Sequence, residues 1–201
     1  LAERRIDDML VTHLTHVRYL SGFSGSNGAM LVSKDRTAAI ATDGRYTTQI
    51  GEEVPDIAAT IERNVGVAML SKAAEGHRVG FEADYVSVAQ LEKLREACPE
   101  GVTLVPVSGV IEEIRLIKDN LELKCLTEAA ELTVEALEGL LDAGELRAGR
   151  TEREVAADLE YRMRVLGAER VSFDTIVASG PNSAKPHHGA GDRVIAEGDL
   201  V

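Results

Sequence analysis

The chain has 201 residues, 44% of them hydrophobic and 28% charged, and a formal net charge of −12. That length carries one large or two small globular domains, and the acidic balance argues against a nucleic-acid surface, since phosphate binding needs clustered Lys and Arg. No run is long and apolar enough to cross a membrane and no signal peptide is visible, while two cysteines, Cys98 and Cys125, without metal-like spacing suit a reduced cytoplasmic protein.

Leu1 to Asp8 reads as the end of a helix, and Met9-Leu10-Val11 as a buried strand. Thr15 to Leu20 suits a short helix with Gly22 as its left-handed cap. The glycine-rich Gly22-Phe23-Ser24-Gly25-Ser26-Asn27-Gly28 precedes a strand, whereas phosphate-cradling glycines follow one and open a helix. A turn needing positive φ is therefore the reading for this loop. Ala29 to Ser33 and Thr37 to Thr42 form a hairpin about Lys34-Asp35-Arg36, and a helix follows from Arg45 and Tyr46 towards Val54. Strand, helix, strand, helix and strand are then expected at 59–62, 67–75, 78–82, from Ser87, and at 102–107. That alternation predicts an α/β layer structure with a partly parallel sheet.

Residues 110–119 bridge to a second region. A long helix covers Asn120 to Leu141, and Thr151 with Glu154 forms a capping box for another. Thr175 to Ala178 reads as a strand, Ser179-Gly180-Pro181-Asn182-Ser183 as a turn, and Leu200-Val201 as the start of a further strand that breaks off. Strand alternation is expected to place the neighbours His187 and His188 on opposite faces, so that they do not share an ion.

The order Phe173, Ser179-Gly180, Asn182, His187 and Gly198-Asp199-Leu200-Val201 resembles the opening of the catalytic domain of the pita-bread metallopeptidases, which include Xaa-Pro aminopeptidases, prolidases and creatinases. Four earlier stretches resemble their N-terminal domain and junction: His16 to Phe23, Gly25-Ser26-Asn27-Gly28, Thr42-Asp43-Gly44-Arg45-Tyr46, and Ile117-Lys118-Asp119. The resemblance implies a creatinase-like α/β domain over 1–117 and the incomplete start of an α+β pita-bread domain over 118–201.

It also implies hydrolysis of the bond preceding proline by two divalent ions, manganese in first place with zinc or cobalt as alternatives. The ligands are expected after Val201, so residues 1–201 alone are expected to bind no metal and to be inactive. His187 is implied to face the scissile carbonyl without ligating metal. Arg45 and Tyr46 read on spacing as an exposed first helical turn, and by resemblance as a substrate gate or dimer contact. Proline-containing peptides and a second copy of the chain are the implied partners. Phe173 stands where some relatives carry Tyr, and it lacks the hydroxyl that would support a metal-bound carboxylate. Two alternatives stay open: a metal-independent creatinase-type hydrolase, and a catalytically dead peptidase-like binding module.

Overall fold

Apolar residues alternate in register between the two faces of a central sheet in the computed structural model, which describes all of residues 1–201. Strands β1 (Asp8–Val11), β2 (Gly28–Ser33) and β3 (Ala38–Thr42) are antiparallel in sequence order. Met9, Val11, Met30 and Ile40 point to one core, and Leu10, Ala29, Leu31 and Ala41 to the other. A period-two strand buried on both sides does this of necessity. The sheet has six strands in the order β4-β3-β2-β1-β5-β6. Here β4 is Ala59–Ile61, β5 is Arg78–Glu82 and β6 is Thr103–Val107, and each lies parallel to its earlier neighbour.

The first core is covered by Val17 of helix α1 (Leu14–Ser21) and Ile50 of α2 (Thr47–Glu53). The second is covered by Met69 and Leu70 of α3 (Val65–Leu70) and Leu94 of α4 (Val88–Glu96). Each of these fully buried side chains contributes about 1.5–3 kcal/mol. Helix α5 (Val110–Leu116) closes the unit, and the chain divides into compact units Leu1–Leu116 and Ile117–Val201.

Residues 67–75 were expected to be helical, yet α3 begins at Val65 and stops at Leu70. Leu1 to Asp8 holds only a 3₁₀ turn, Ala2–Arg4, before the strand. Gly22 takes the left-handed cap with φ of 84°. The other loop glycines have a different cause from the one expected. Gly25 and Gly28 are absent from the positive-φ residues. A Cβ on Gly25 would stand 2.3 Å from the Phe23 ring, and one on Gly28 3.2 Å from it. The loop is glycine-rich so that it can wrap a buried phenyl ring.

Parallel neighbours β1 and β5 send the chain to opposite faces, into α1 and α4 respectively. Ligands of open α/β sheets commonly enter such a switch point. Here the Glu82 carboxylate ties the end of β5 to the turn after β1, accepting from the backbone N–H groups of Thr12 at 2.6 Å and His13 at 2.8 Å and from His16 Nδ1 at 2.6 Å.

The second unit contains α6 (Asn120–Asp142) and α7 (Glu152–Val165), which pack on each other. Capping boxes start both, Asp119 with Glu122 and Thr151 with Glu154. The core here is small: Leu140, Val155, Ala156, Val177 and Ile195. Much of the apolar surface of α6 is open, with Leu126, Val134, Leu137 and Leu141 about half exposed. No ladder forms at 175–178 or at 200–201. A strand needs a hydrogen-bonded neighbour, and the single bridge in this unit joins Thr151 to Val194.

Candidate functional site

Residues 179–199 fold around one carboxylate. Glu152 follows the N-cap Thr151, so the capping box that starts α7 also fixes where its side chain leaves the helix. That side chain is fully buried. Its Oε1 accepts from the Ser179 backbone N–H at 2.8 Å, the Ser179 hydroxyl at 2.9 Å and Asn182 Nδ2 at 3.0 Å. Its Oε2 accepts from His188 Nε2 at 2.7 Å and the Gly191 N–H at 3.3 Å. The backbone of 191–195 is also stitched to the start of α7, with Arg153 N donating to Gly191 O and Glu152 N to Arg193 O.

A second clamp joins the two ends of the segment. Arg193 donates to the Ser179 hydroxyl and, through both terminal nitrogens, to Asp199 at 2.7 and 3.2 Å. Gly180 N donates to Leu200 O at 2.9 Å. Gly180 has φ of +50°, and a Cβ there would stand 2.5 Å from the Arg193 guanidinium and 2.6 Å from Asp199 Oδ1. Only glycine lets the ion pair close over the turn. The Ser-Gly and Gly-Asp-Leu-Val stretches, separate in sequence, are thus one hydrogen-bonded body.

His187 and His188 lie in and beside a turn rather than a strand, after the 3₁₀ segment Gly180–Ala184. His188 turns inward to Glu152, and His187 is exposed at the tip. Their divergence comes from the carboxylate that captures one ring, and not from pleat alternation.

Burial alone would raise the Glu152 carboxyl, but the donors Asn182, His188 and Ser179 outweigh it and hold it well below the ordinary carboxylate range. Its folded-state pKa therefore lies below the unfolded one. The stabilisation is complete above the unfolded value of about 4.3 and is lost as pH falls through and below it. The denaturation midpoint read at the Ser179 and Gly191 amide resonances should drop as the medium is acidified from neutrality past that value. A midpoint unchanged by acid would contradict the assignment of an ionised hub.

Arg45 and Tyr46 belong to the N-terminal unit, while His187 belongs to the other. Arg45 is committed locally: Nε and Nη2 donate to Asp43 at 2.9 and 2.8 Å. Asn27 donates to the same carboxylate at 2.7 Å. The Arg45 bond first, then that from Asn27, holds Asp43 well below the usual carboxylate range. The Tyr46 hydroxyl meets Ser26 at 2.5 Å and its ring packs edge-on to Phe23. The pair thus pins the glycine loop, with the Arg45 side chain still two-thirds exposed.

No group of three or more His, Cys, Asp or Glu is placed to hold a metal ion. Glu152 and His188 are spent on each other, and Asp199 on Arg193. These residues therefore do not fit a metal-ligand set. No helix is long and apolar enough to cross a membrane. Sequence reasoning did not single out Glu152 or Glu82, because their partners lie 27–39 and 66–70 residues away and no local pattern marks them.

The creatinase/prolidase N-terminal domain model matches residues 1–117, and the metallopeptidase family M24 model matches residues 124–201. A Bacillus subtilis protein named as an uncharacterized peptidase is 38% identical over 98% of this chain and 55% of its own length. The Xaa-Pro dipeptidase of Pyrococcus horikoshii is 33% identical, over 98% of this chain and 54% of its own. The solved Xaa-Pro dipeptidase from Bacillus anthracis superposes with a TM-score of 0.88 at 34% identity, covering 98% of this chain and 55% of that one. The chain spans about half the length of the curated relatives it matches.

Proposed function

Because the chain belongs to the creatinase/prolidase family of M24 metallopeptidases, we propose that the intact protein hydrolyses Xaa-Pro peptide bonds with His187 as the oxyanion-stabilising residue. The observation that carries this is the loop geometry: a buried carboxylate clamps Ser179, Asn182, His188 and Gly191 and leaves His187 alone, exposed at the tip. An imidazole N–H on a braced loop meets developing negative charge with little reorganisation, which favours the transition state over the ground state.

The bond before proline is a tertiary amide whose nitrogen carries no hydrogen. A substrate of this kind offers no N–H at the scissile position, so stabilising its carbonyl oxygen carries more of the task. M24 membership implies divalent metal, and the ligands are proposed to lie in the part of the relatives' length that this chain does not span. When bound, two such ions, manganese in the first instance, would supply an activated hydroxide and polarise the carbonyl. Arg45 and Tyr46 are proposed as part of the substrate rim or a dimer contact, with the Asp43 pairing fixing the guanidinium that they present.

The experiment is a dipeptide assay on the intact, metal-loaded protein with a chelated control. Xaa-Pro cleavage that chelation abolishes supports the proposal. A creatinase-type activity that survives chelation would replace it.

A further inference from the structure

We propose that Glu152 is the positioning residue of the histidine loop: one buried carboxylate, bonded on both sides of His187, fixes the tautomer of His188 and with it the turn that presents His187. The catalytic consequence rests on the peptidase reading above; the lock itself rests on geometry alone.

The donors fall on both sides of His187 in sequence. Ser179 and Asn182 precede it and bind Oε1; His188 and Gly191 follow it and bind Oε2. Residues 183–187 are therefore strung between the two oxygens of a single side chain. That side chain is fully buried on a helix whose start is fixed by its own capping box. An ionised carboxylate only accepts hydrogen bonds. His188 must accordingly keep a proton on Nε2, and the ring cannot turn over without leaving a buried acceptor short of a donor. Ser179 passes the restraint on to Arg193 and Asp199, so both ends of the segment share it. His187 takes no part in these bonds, which leaves its ring nitrogens for substrate.

Glutamine at 152 separates this lock from simple packing. Glu152→Gln keeps an oxygen for Ser179 and Asn182 but turns an amide N–H₂ towards His188 and Gly191. The His188 ring can answer by moving its proton to Nδ1 and accepting at Nε2. The Gly191 amide has no such answer and loses its acceptor.

The test uses two readouts. Ring ¹⁵N NMR of residues 1–201 at alkaline pH, where imidazoles are neutral, should show the Nε2–H tautomer for His188 and its conversion to Nδ1–H in Glu152→Gln. In the intact protein, His188→Ala should lower kcat on the order of 10- to 100-fold, the scale of a misplaced catalytic group. KM and bound metal should stay close to those of the parent, while the melting temperature should fall, because the buried carboxylate loses a donor, without unfolding the protein at the assay temperature. His188→Gln, which restores an N–H donor, should recover part of the loss. A parent His188 in the Nδ1–H form overturns the lock. So does a His188→Ala protein with parental kcat, or one whose loss tracks only its unfolded fraction. A parent with the Nε2–H tautomer but no Xaa-Pro hydrolysis would overturn the peptidase reading and leave the lock supported.

Discussion

Replacing His187 with alanine in the intact protein is expected to lower kcat by on the order of 10²–10³, or about 3–4 kcal/mol of transition-state stabilisation. Fold and metal content should be nearly unchanged. The side chain is exposed and bonds to nothing in its own loop, so its removal leaves no buried group unsatisfied. Its neighbours stay held by Glu152, so the backbone of the turn should keep its place. The loss should therefore fall on kcat and not on stability. Steady-state kinetics with metal analysis on the same preparation decides. Full activity in His187→Ala would remove the residue from the catalytic machinery, and loss of metal would make it a ligand. His188→Ala is not a neutral control for this variant, because His188 anchors the loop to Glu152.

Removing the Glu82 carboxylate should be the most damaging single change to the N-terminal unit. Glu82→Ala strips the acceptor from the Thr12 and His13 amides and from the fully buried His16 ring. His16 Nε2 lies 3.7 Å from Glu112 and forms no hydrogen bond that could take over. Breaking a buried pair of this kind costs about 3–5 kcal/mol. For a domain of this size that is a fall in Tm on the order of 15 °C or more. Glu82→Gln should cost less, since an amide oxygen at the Oε2 position still accepts from the Thr12 and His13 amides. Calorimetry of the three proteins checks both statements, and an unchanged Tm in Glu82→Ala would show that water replaces the carboxylate without penalty.

The sheet was legible because its information is local. Met9-Leu10-Val11 and Ala29 to Ser33 are continuous apolar runs bounded by turn formers, and each becomes a strand buried on both faces. The cap at Gly22 and the capping box at Thr151 depend only on residues a few positions apart. The parts that were not legible depend on tertiary partners. Strand propensity at Thr175 to Ala178 is real, but no ladder neighbour stands beside it. Gly25 reads as a turn glycine until Phe23 folds against it. Of the candidate site, His187 was visible through the resemblance of its surroundings to a family pattern. The carboxylate that braces it was not, since Glu152 sits next to a capping residue and looks like any first-turn acid. Its buried role appears only when Ser179, Asn182 and His188 return to it from later in the chain.

The measurement that bears most directly on the account is kcat/KM of the intact, manganese-loaded protein on an Xaa-Pro dipeptide and on the matching Xaa-Ala dipeptide. The predicted result is cleavage of the proline substrate in clear preference, abolished by chelation and restored by added metal. Equal cleavage of both, or no cleavage of either by a protein that has bound its metal, would contradict it.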